Sequence, residues 1–96
     1  MSAYTRLYRM TARDGQGAAL RAALEDLAGK VCPIDGCQGI ELLEDADKTG
    51  TFVFIERWAS AEVHRTGSAA LGKDAFAPVM AVLAEPPEAS GLSPLN

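Results

Sequence analysis

Eight residues, Thr51 to Trp58 (TFVFIERW), constrain the fold of this 96-residue chain more than any other stretch. Phe52, Val53, Phe54 and Ile55 are consecutive and apolar. Side chains of a strand alternate between its two faces, so a strand with such a run must be covered on both. The turn residues Asp47-Lys48-Thr49-Gly50 precede it, and before them lies a second strand-like segment, Cys37 to Asp45 (CQGIELLED). The two read as a hairpin. In the earlier strand Leu42 and Leu43 again point to opposite sides.

Upstream, Ala3 to Thr11 (AYTRLYRMT) reads as a strand with Tyr4, Arg6, Tyr8 and Met10 on one face. Asp14-Gly15 marks a turn and a candidate helix cap. From Gln16 to Lys30 the apolar residues Leu20, Ala23, Leu24, Leu27, Ala28 and Val31 recur at three- and four-residue steps. That is the stripe of an amphipathic helix, with Gly29 as a stop signal and Pro33 barring continuation. After the central strand, Ser60 can cap a short helix from Ala61, with Glu62 in its first turn. Asp74 can cap a last helix with the stripe Phe76, Val79, Met80 and Leu83, and Pro78 sits near its first turn. The tail, residues 85–96, contains three prolines and offers one short edge strand around Ala89 to Ser93.

Strand, helix, strand, strand, helix, helix and a short strand make one domain over residues 1–96, an α+β sandwich of the ferredoxin-like type. Helices can cover only one face of its small, largely antiparallel sheet. The other face would leave an apolar patch larger than a monomer usually shows. A homodimer that packs two such sheets together resolves this.

A net charge of −4, with nine basic residues dispersed along the chain, leaves no basic stripe for nucleic acid. No apolar run approaches the roughly 20 residues of a membrane span, and the N-terminus lacks the apolar core of a signal peptide. The expectation is a soluble cytoplasmic protein with its thiols reduced. Cys32 and Cys37 are four residues apart across Pro33 and Gly36. With His64 they are too few for a structural zinc site, and a redox pair has two intervening residues. They read instead as a helix-to-strand connector, with Cys37 a small half-buried strand residue. No metal or cofactor motif is present: there is no nucleophile elbow and no glycine-rich phosphate loop.

Two positions invite chemistry. His64 is the sole histidine, either an acid–base group or a solvent-facing residue on a short helix. Glu56 and Trp58 share a face with Phe52 and Phe54, and a carboxylate ending an aromatic row needs partners. Arg6 or Arg9 could supply an ion pair, or the carboxylate and indole could border a pocket.

Three blocks resemble the antibiotic biosynthesis monooxygenase family, of the dimeric α+β barrel superfamily. They are Arg9-Met10-Thr11-Ala12-Arg13-Asp14-Gly15, then Gly36-Cys37-Gln38-Gly39-Ile40-Glu41-Leu42, then the apolar strand ending E-x-W with a capped helix after it, residues 52–60. The resemblance implies a homodimer with a shared barrel, a pocket between sheet and helices, and a last strand that engages the partner. It further implies oxidation of phenolic, quinol-type aromatics by molecular oxygen without metal or flavin. On it, Trp58 matches the pocket tryptophan and Glu56 the strand carboxylate. The family histidine, nine or ten residues after the tryptophan, is replaced by Gly67 and Ser68, and His64 lies six after it. The first strand lacks the asparagine of haem-degrading relatives, which disfavours haem degradation. The candidate catalytic set is Trp58, His64, Tyr8 and Arg6. Tyr4, Phe54, Glu56, Phe76 and Met80 are candidates to bind a small aromatic molecule. An isomerase or hydroxy-keto processing enzyme, or a non-catalytic small-molecule-binding or stress-response module, are the alternative readings on the same scaffold.

Overall fold

The computed structural model describes residues 3–95. Strand β1 (Tyr4–Thr11) is followed by helix α1 (Gly17–Val31) and the hairpin of β2 (Cys37–Glu44) and β3 (Thr51–Trp58). Helix α2 (Ala61–Leu71), a 3-10 turn (Lys73–Phe76), a single helical turn α3 (Ala77–Met80) and strand β4 (Glu88–Leu92) complete the order. The sheet runs β2-β3-β1-β4 with every neighbouring pair antiparallel. This is the expected ferredoxin-like α+β arrangement, with the helices on one face.

The register explains the core. Tyr4 lies opposite Trp58, Arg6 opposite Glu56, Tyr8 opposite Phe54 and Met10 opposite Phe52. The β3 members of these pairs are buried, as is Met10, and they pack against Leu20, Leu24, Leu27 and Val31 of α1. On the opposite face Leu7, Val53 and Ile55 are half-buried, and Leu43 and Leu92 are exposed. Among the described residues no helix crosses that face: helical packing is on the side of Phe54 and Trp58.

Three local expectations are corrected. Helix α1 begins at Gly17 with Gln16 as its N-cap and without a side-chain cap, because Gly15 (φ 78°) turns the chain and the Gln16 N–H reaches the Arg13 carbonyl. It runs through Gly29 to Val31: a mid-helix glycine costs only about 1 kcal/mol, and burial of Val31 holds the last turn down. The expected single helix after Asp74 is instead a 3-10 turn and one α-turn. Asp74 caps nothing; Gly72, at φ 84°, is the N-cap residue. From that broken helix Val79 and Leu83 enter the core, while Met80 stays half exposed (50%).

Ser60 caps α2 as expected, its Oγ accepting from the Val63 N–H at 3.2 Å. The chain after α3 is tied to the end of β1: Arg13 N–H donates to the Val82 carbonyl and Ala84 N–H to the Thr11 carbonyl, each at 2.9 Å. Strand β4 forms one residue earlier than expected and pairs with β1 over five residues, flanked by Pro87 and Pro94. The outer prolines thus fall beyond the ladder, where a missing N–H removes nothing.

Candidate functional site

The even-numbered residues of β1 and β3 face the helices and meet α2 at one end of the sheet. Glu56 is 3% exposed. Its Oε1 accepts from the Trp58 indole N–H at 3.0 Å and lies 3.8 Å from His64 Nε2. His64 is turned inward rather than to solvent: its side chain is only 12% exposed. Its ring lies edge-on to Trp58 and tilted against Tyr4, with centroids 5.5 Å away in each case. Nε2 of His64 also sits 3.2 Å from Ser68 Oγ, one helical turn on.

Why α2 comes so close is set by Gly67. A Cβ at that position would lie 2.8 Å from Ile34 Cγ2 and 3.3 Å from two ring atoms of Trp58. The missing side chain lets the helix settle onto the indole and carries His64 to Glu56.

Burial lifts the Glu56 carboxyl above its ordinary value, opposed by the Trp58 hydrogen bond and by the charge of Arg6. Burial likewise lowers His64, helped by Arg6 and Arg65. Each group is pushed toward its neutral form. An ionised Glu56 at 3.8 Å acts to raise His64, whereas burial first, and then the charges of Arg6 and Arg65, act to lower it. The downward direction for His64 is therefore the one the surroundings support.

Beside Glu56 on β1 stand Tyr4, Arg6 and Tyr8, all half-buried. Arg6 donates through Nε to Tyr8 Oη and through Nη1 to Tyr4 Oη, both at 3.3 Å, and its guanidinium lies 5.3 Å from the centre of the Tyr8 ring. These bonds, the one to Tyr8 foremost, hold Arg6 more firmly protonated, while burial raises Tyr8 against the opposing effect of Arg6. Neither arginine makes the ion pair with Glu56 that β1 could have supplied. Arg9 points to the other face and pairs with Asp45, and Arg6 is engaged by the tyrosines. Below Tyr8, a small apolar cavity of about 50 Å³ is lined by Tyr8, Phe54, Phe76, Val79 and Met80 among others. It is far smaller than the roughly 300–1,000 Å³ of a pocket for a drug-sized ligand. A flat ligand would have to lie over the half-open floor of β1, with only an edge in the cavity.

All nine sequence-derived candidates thus fall on one side of the sheet: a polar end of Tyr4, Arg6, Glu56, Trp58 and His64, and an apolar end of Tyr8, Phe54, Phe76 and Met80. Ser68 and Gly67 were not singled out for this site. Ser68 at the fourth residue after His64 was the available signal, since that spacing stacks side chains on one helical face. A larger open groove of about 630 Å³ lies elsewhere, between α1 and the β2 edge, lined by Arg21, Glu25, Cys32 and Leu42 among others. It gathers no convergent set of donors. Cys32 is exposed and Cys37 half-buried, its thiol 3.9 Å from the Gly39 carbonyl. Among the described residues no group of three or more His, Cys, Asp or Glu side chains is placed to hold a metal ion, and no helix is long and apolar enough to cross a membrane.

Residues 3–69 match the family described as antibiotic biosynthesis monooxygenase. The chain belongs to the antibiotic biosynthesis monooxygenase family. Among solved structures, Rv0793 from Mycobacterium tuberculosis is 30% identical, with 99% of this chain and 97% of that one covered at a TM-score of 0.84. A putative antibiotic biosynthesis monooxygenase from Chloroflexus aurantiacus is 26% identical, covering 99% and 95% at a TM-score of 0.82. SnoaB from Streptomyces nogalater, a cofactor-independent oxygenase solved as a mutant, shares the fold (TM-score 0.87, covering 100% and 96%) at 17% identity. No curated protein matches the sequence. In this family member, the block that ends in E-x-W is therefore also the strand that brings a buried carboxyl, an indole and a histidine together.

Proposed function

We propose that this antibiotic biosynthesis monooxygenase family member is a cofactor-independent monooxygenase that oxidises an aromatic, quinol-type small molecule with O2. The observation that carries the reading is the buried Glu56 carboxyl, held by the Trp58 indole N–H and 3.8 Å from the imidazole of His64. Oxidation of a phenol or of the tautomeric ketone by O2 starts with loss of a proton, because the anion is electron-rich enough to reduce oxygen. A carboxyl lifted by burial is suited to accept that proton near neutral pH. His64 stands where the proton would pass outward toward Ser68.

The reaction balances without an added reductant. For an anthrone-type methylene, the substrate gives two hydrogens and takes up one oxygen atom, and the second oxygen leaves as water. The electrons come from the substrate. The chain's part is to take the proton, orient the ring over β1 against Phe54, Phe76 and Met80, and donate hydrogen bonds to the developing anion from Tyr4, Arg6 and Tyr8. Trp58, 1% exposed, acts by fixing Glu56. A homodimer completes the reading: the outer sheet face with Leu7, Val53, Ile55, Leu43 and Leu92 is the apolar surface a second copy would cover. Unbridged Cys32 and Cys37 suit a reducing cytoplasmic setting.

Oxygen uptake with anthrone-like and hydroquinone substrates tests the proposal. Consumption above buffer, lost in Glu56→Gln and reduced in Trp58→Phe, supports it. No consumption with any substrate sinks it. The Glu56–His64 pair also favours a second reading, since moving a proton is all an isomerase requires; product formed without oxygen uptake would select it. Saturable binding without turnover would select a non-catalytic binding module.

A further inference from the structure

Arg9, Arg21 and Arg57 each meet a carboxylate within 4 Å, and among the described residues Arg6 meets none. Its backbone partner across the sheet is Glu56, yet the Glu56 oxygen is committed to Trp58 and faces His64. A guanidinium carries five N–H donors and accepts nothing. Two of the five go to Tyr4 and Tyr8. Since both phenol oxygens accept from Arg6, each keeps its own O–H free to donate onward, and among the described residues neither has an acceptor.

The result is a half-buried positive charge with two hydroxyl donors attached to it, all on the helix-facing side of β1 but left only partly covered there. The arrangement is built rather than incidental. Tyr4 crosses to β4 and lies against Gly91, where a Cβ would stand 2.3 Å from its hydroxyl and 2.9 Å from its ring. On the other side the Tyr8 ring, edge-on to Phe54 at 6.3 Å, carries the Arg6 guanidinium on its face. Facing groups from the packed elements are Glu56 on β3 and His64 on α2, and β4 contributes only Ala89 and Gly91 toward this side. Glu56 Oε1 is taken by the Trp58 indole N–H, and no carboxylate of the described residues lies within 4 Å of the Arg6 guanidinium.

We propose that Arg6, Tyr4 and Tyr8 form a binding site for the ionised oxygen of a planar aromatic anion, a phenolate, enolate or aryl carboxylate. The aromatic ring lies over the apolar end beside Tyr8 and Phe76, and the oxygen takes the free Arg6 N–H groups and the two phenol protons. This rests on the functional reading only for where the ring sits; it requires no turnover, and an unreactive anion tests it. Charge-assisted bonds of this kind are about twice as strong as neutral ones, so the anion should be preferred over a neutral isostere by at least about ten-fold.

Calorimetric titration of the full-length protein with 2-naphthoate and with its neutral isostere 2-naphthamide, at pH 7.5, decides the matter. The expected result is tighter binding of naphthoate by ten-fold or more. Arg6→Gln should bring the two within about two-fold, Arg6→Lys should keep part of the preference, and Tyr4→Phe and Tyr8→Phe should each weaken naphthoate alone by about three-fold to ten-fold. Far-UV circular dichroism confirms that each variant is folded. Equal affinity for the two compounds in the wild type, an undiminished preference in folded Arg6→Gln, or no saturable naphthoate binding at low millimolar concentration overturns the proposal. Naphthoate binding in a protein that consumes no oxygen would reject the monooxygenase reading and leave this site standing.

Discussion

Replacing Trp58 with phenylalanine keeps an aromatic ring in the core but deletes the indole N–H that reaches Glu56 Oε1 at 3.0 Å. What is left near that oxygen is His64 Nε2 at 3.8 Å, too far for a hydrogen bond. The loss should depend on pH. A hydrogen bond to a neutral acceptor contributes about 0.5–1.5 kcal/mol and one to a charged group about 1.5–3 kcal/mol. The difference, roughly 1 kcal/mol, is lost only where Glu56 is ionised. The sign follows from linkage. Burial lifts folded Glu56 above the ordinary 4.5, so the folded protein holds this proton more tightly than the unfolded chain. The stability it confers is full below the ordinary value and declines as pH rises through the folded value. Trp58 counters this by favouring the carboxylate, so its removal lifts Glu56 further and deepens the decline. Urea unfolding followed by circular dichroism at pH 5.5 and pH 8.5, clear of the pI near 4.8, should show Trp58→Phe about 1 kcal/mol more destabilising at the higher pH. Protein concentration must be fixed, because a dimer's stability depends on it. In a Glu56→Gln background the pH dependence of the Trp58 effect should vanish. A Trp58→Phe penalty equal at both pH values, or one that persists with pH in the Glu56→Gln background, refutes the coupling.

His64, the sole histidine, should titrate below the ordinary 6.5 because burial and two arginines oppose its charge. A midpoint at or above 6.5 in its NMR imidazole signals would contradict the inward orientation. Gly91→Ala should displace Tyr4, costing about 1 kcal/mol of stability and weakening 2-naphthoate binding; unchanged affinity would mean that Tyr4 is not held against β4. Ile55→Glu places a charge in the middle of the outer sheet face. Light scattering should then report the 10.1 kDa monomer where the wild type gives twice that mass, and a monomeric wild type would remove the dimer from the reading.

The strands were legible because their signals are local and redundant. Thr51–Trp58 carries an apolar run, a preceding turn and a following cap, and its bounds are those of β3. The broken last helix was not, because the apolar spacing from Phe76 to Leu83 is the same whether the segment is one helix or two turns; the left-handed Gly72 and the bonds of residues 82–84 back to β1 decide it. The inward turn of His64 was hidden for a related reason. Residues 60, 64, 67 and 71 share a face of α2, but the buried member at the centre of that face is Gly67, and a glycine adds nothing to an apolar stripe. Register was the last missing piece. Arg6 opposite Glu56 and Tyr4 opposite Trp58 are long-range pairings that no stretch of β1 specifies by itself, so the nine candidates could be named without it being evident that they meet.

The alternation along β1 gives that strand two independent vocabularies. Tyr4, Arg6 and Tyr8 look toward the helices, and Thr5, Leu7 and Arg9 look the other way, with Glu56 against Ile55 repeating the division on β3. A saturation-mutagenesis map should therefore show a period of two. Tolerance at even positions should respond to the choice of ligand and stay indifferent to protein concentration, and tolerance at odd positions should do the reverse. Sequences could drift toward a new substrate by changing one set of letters without rewriting the other.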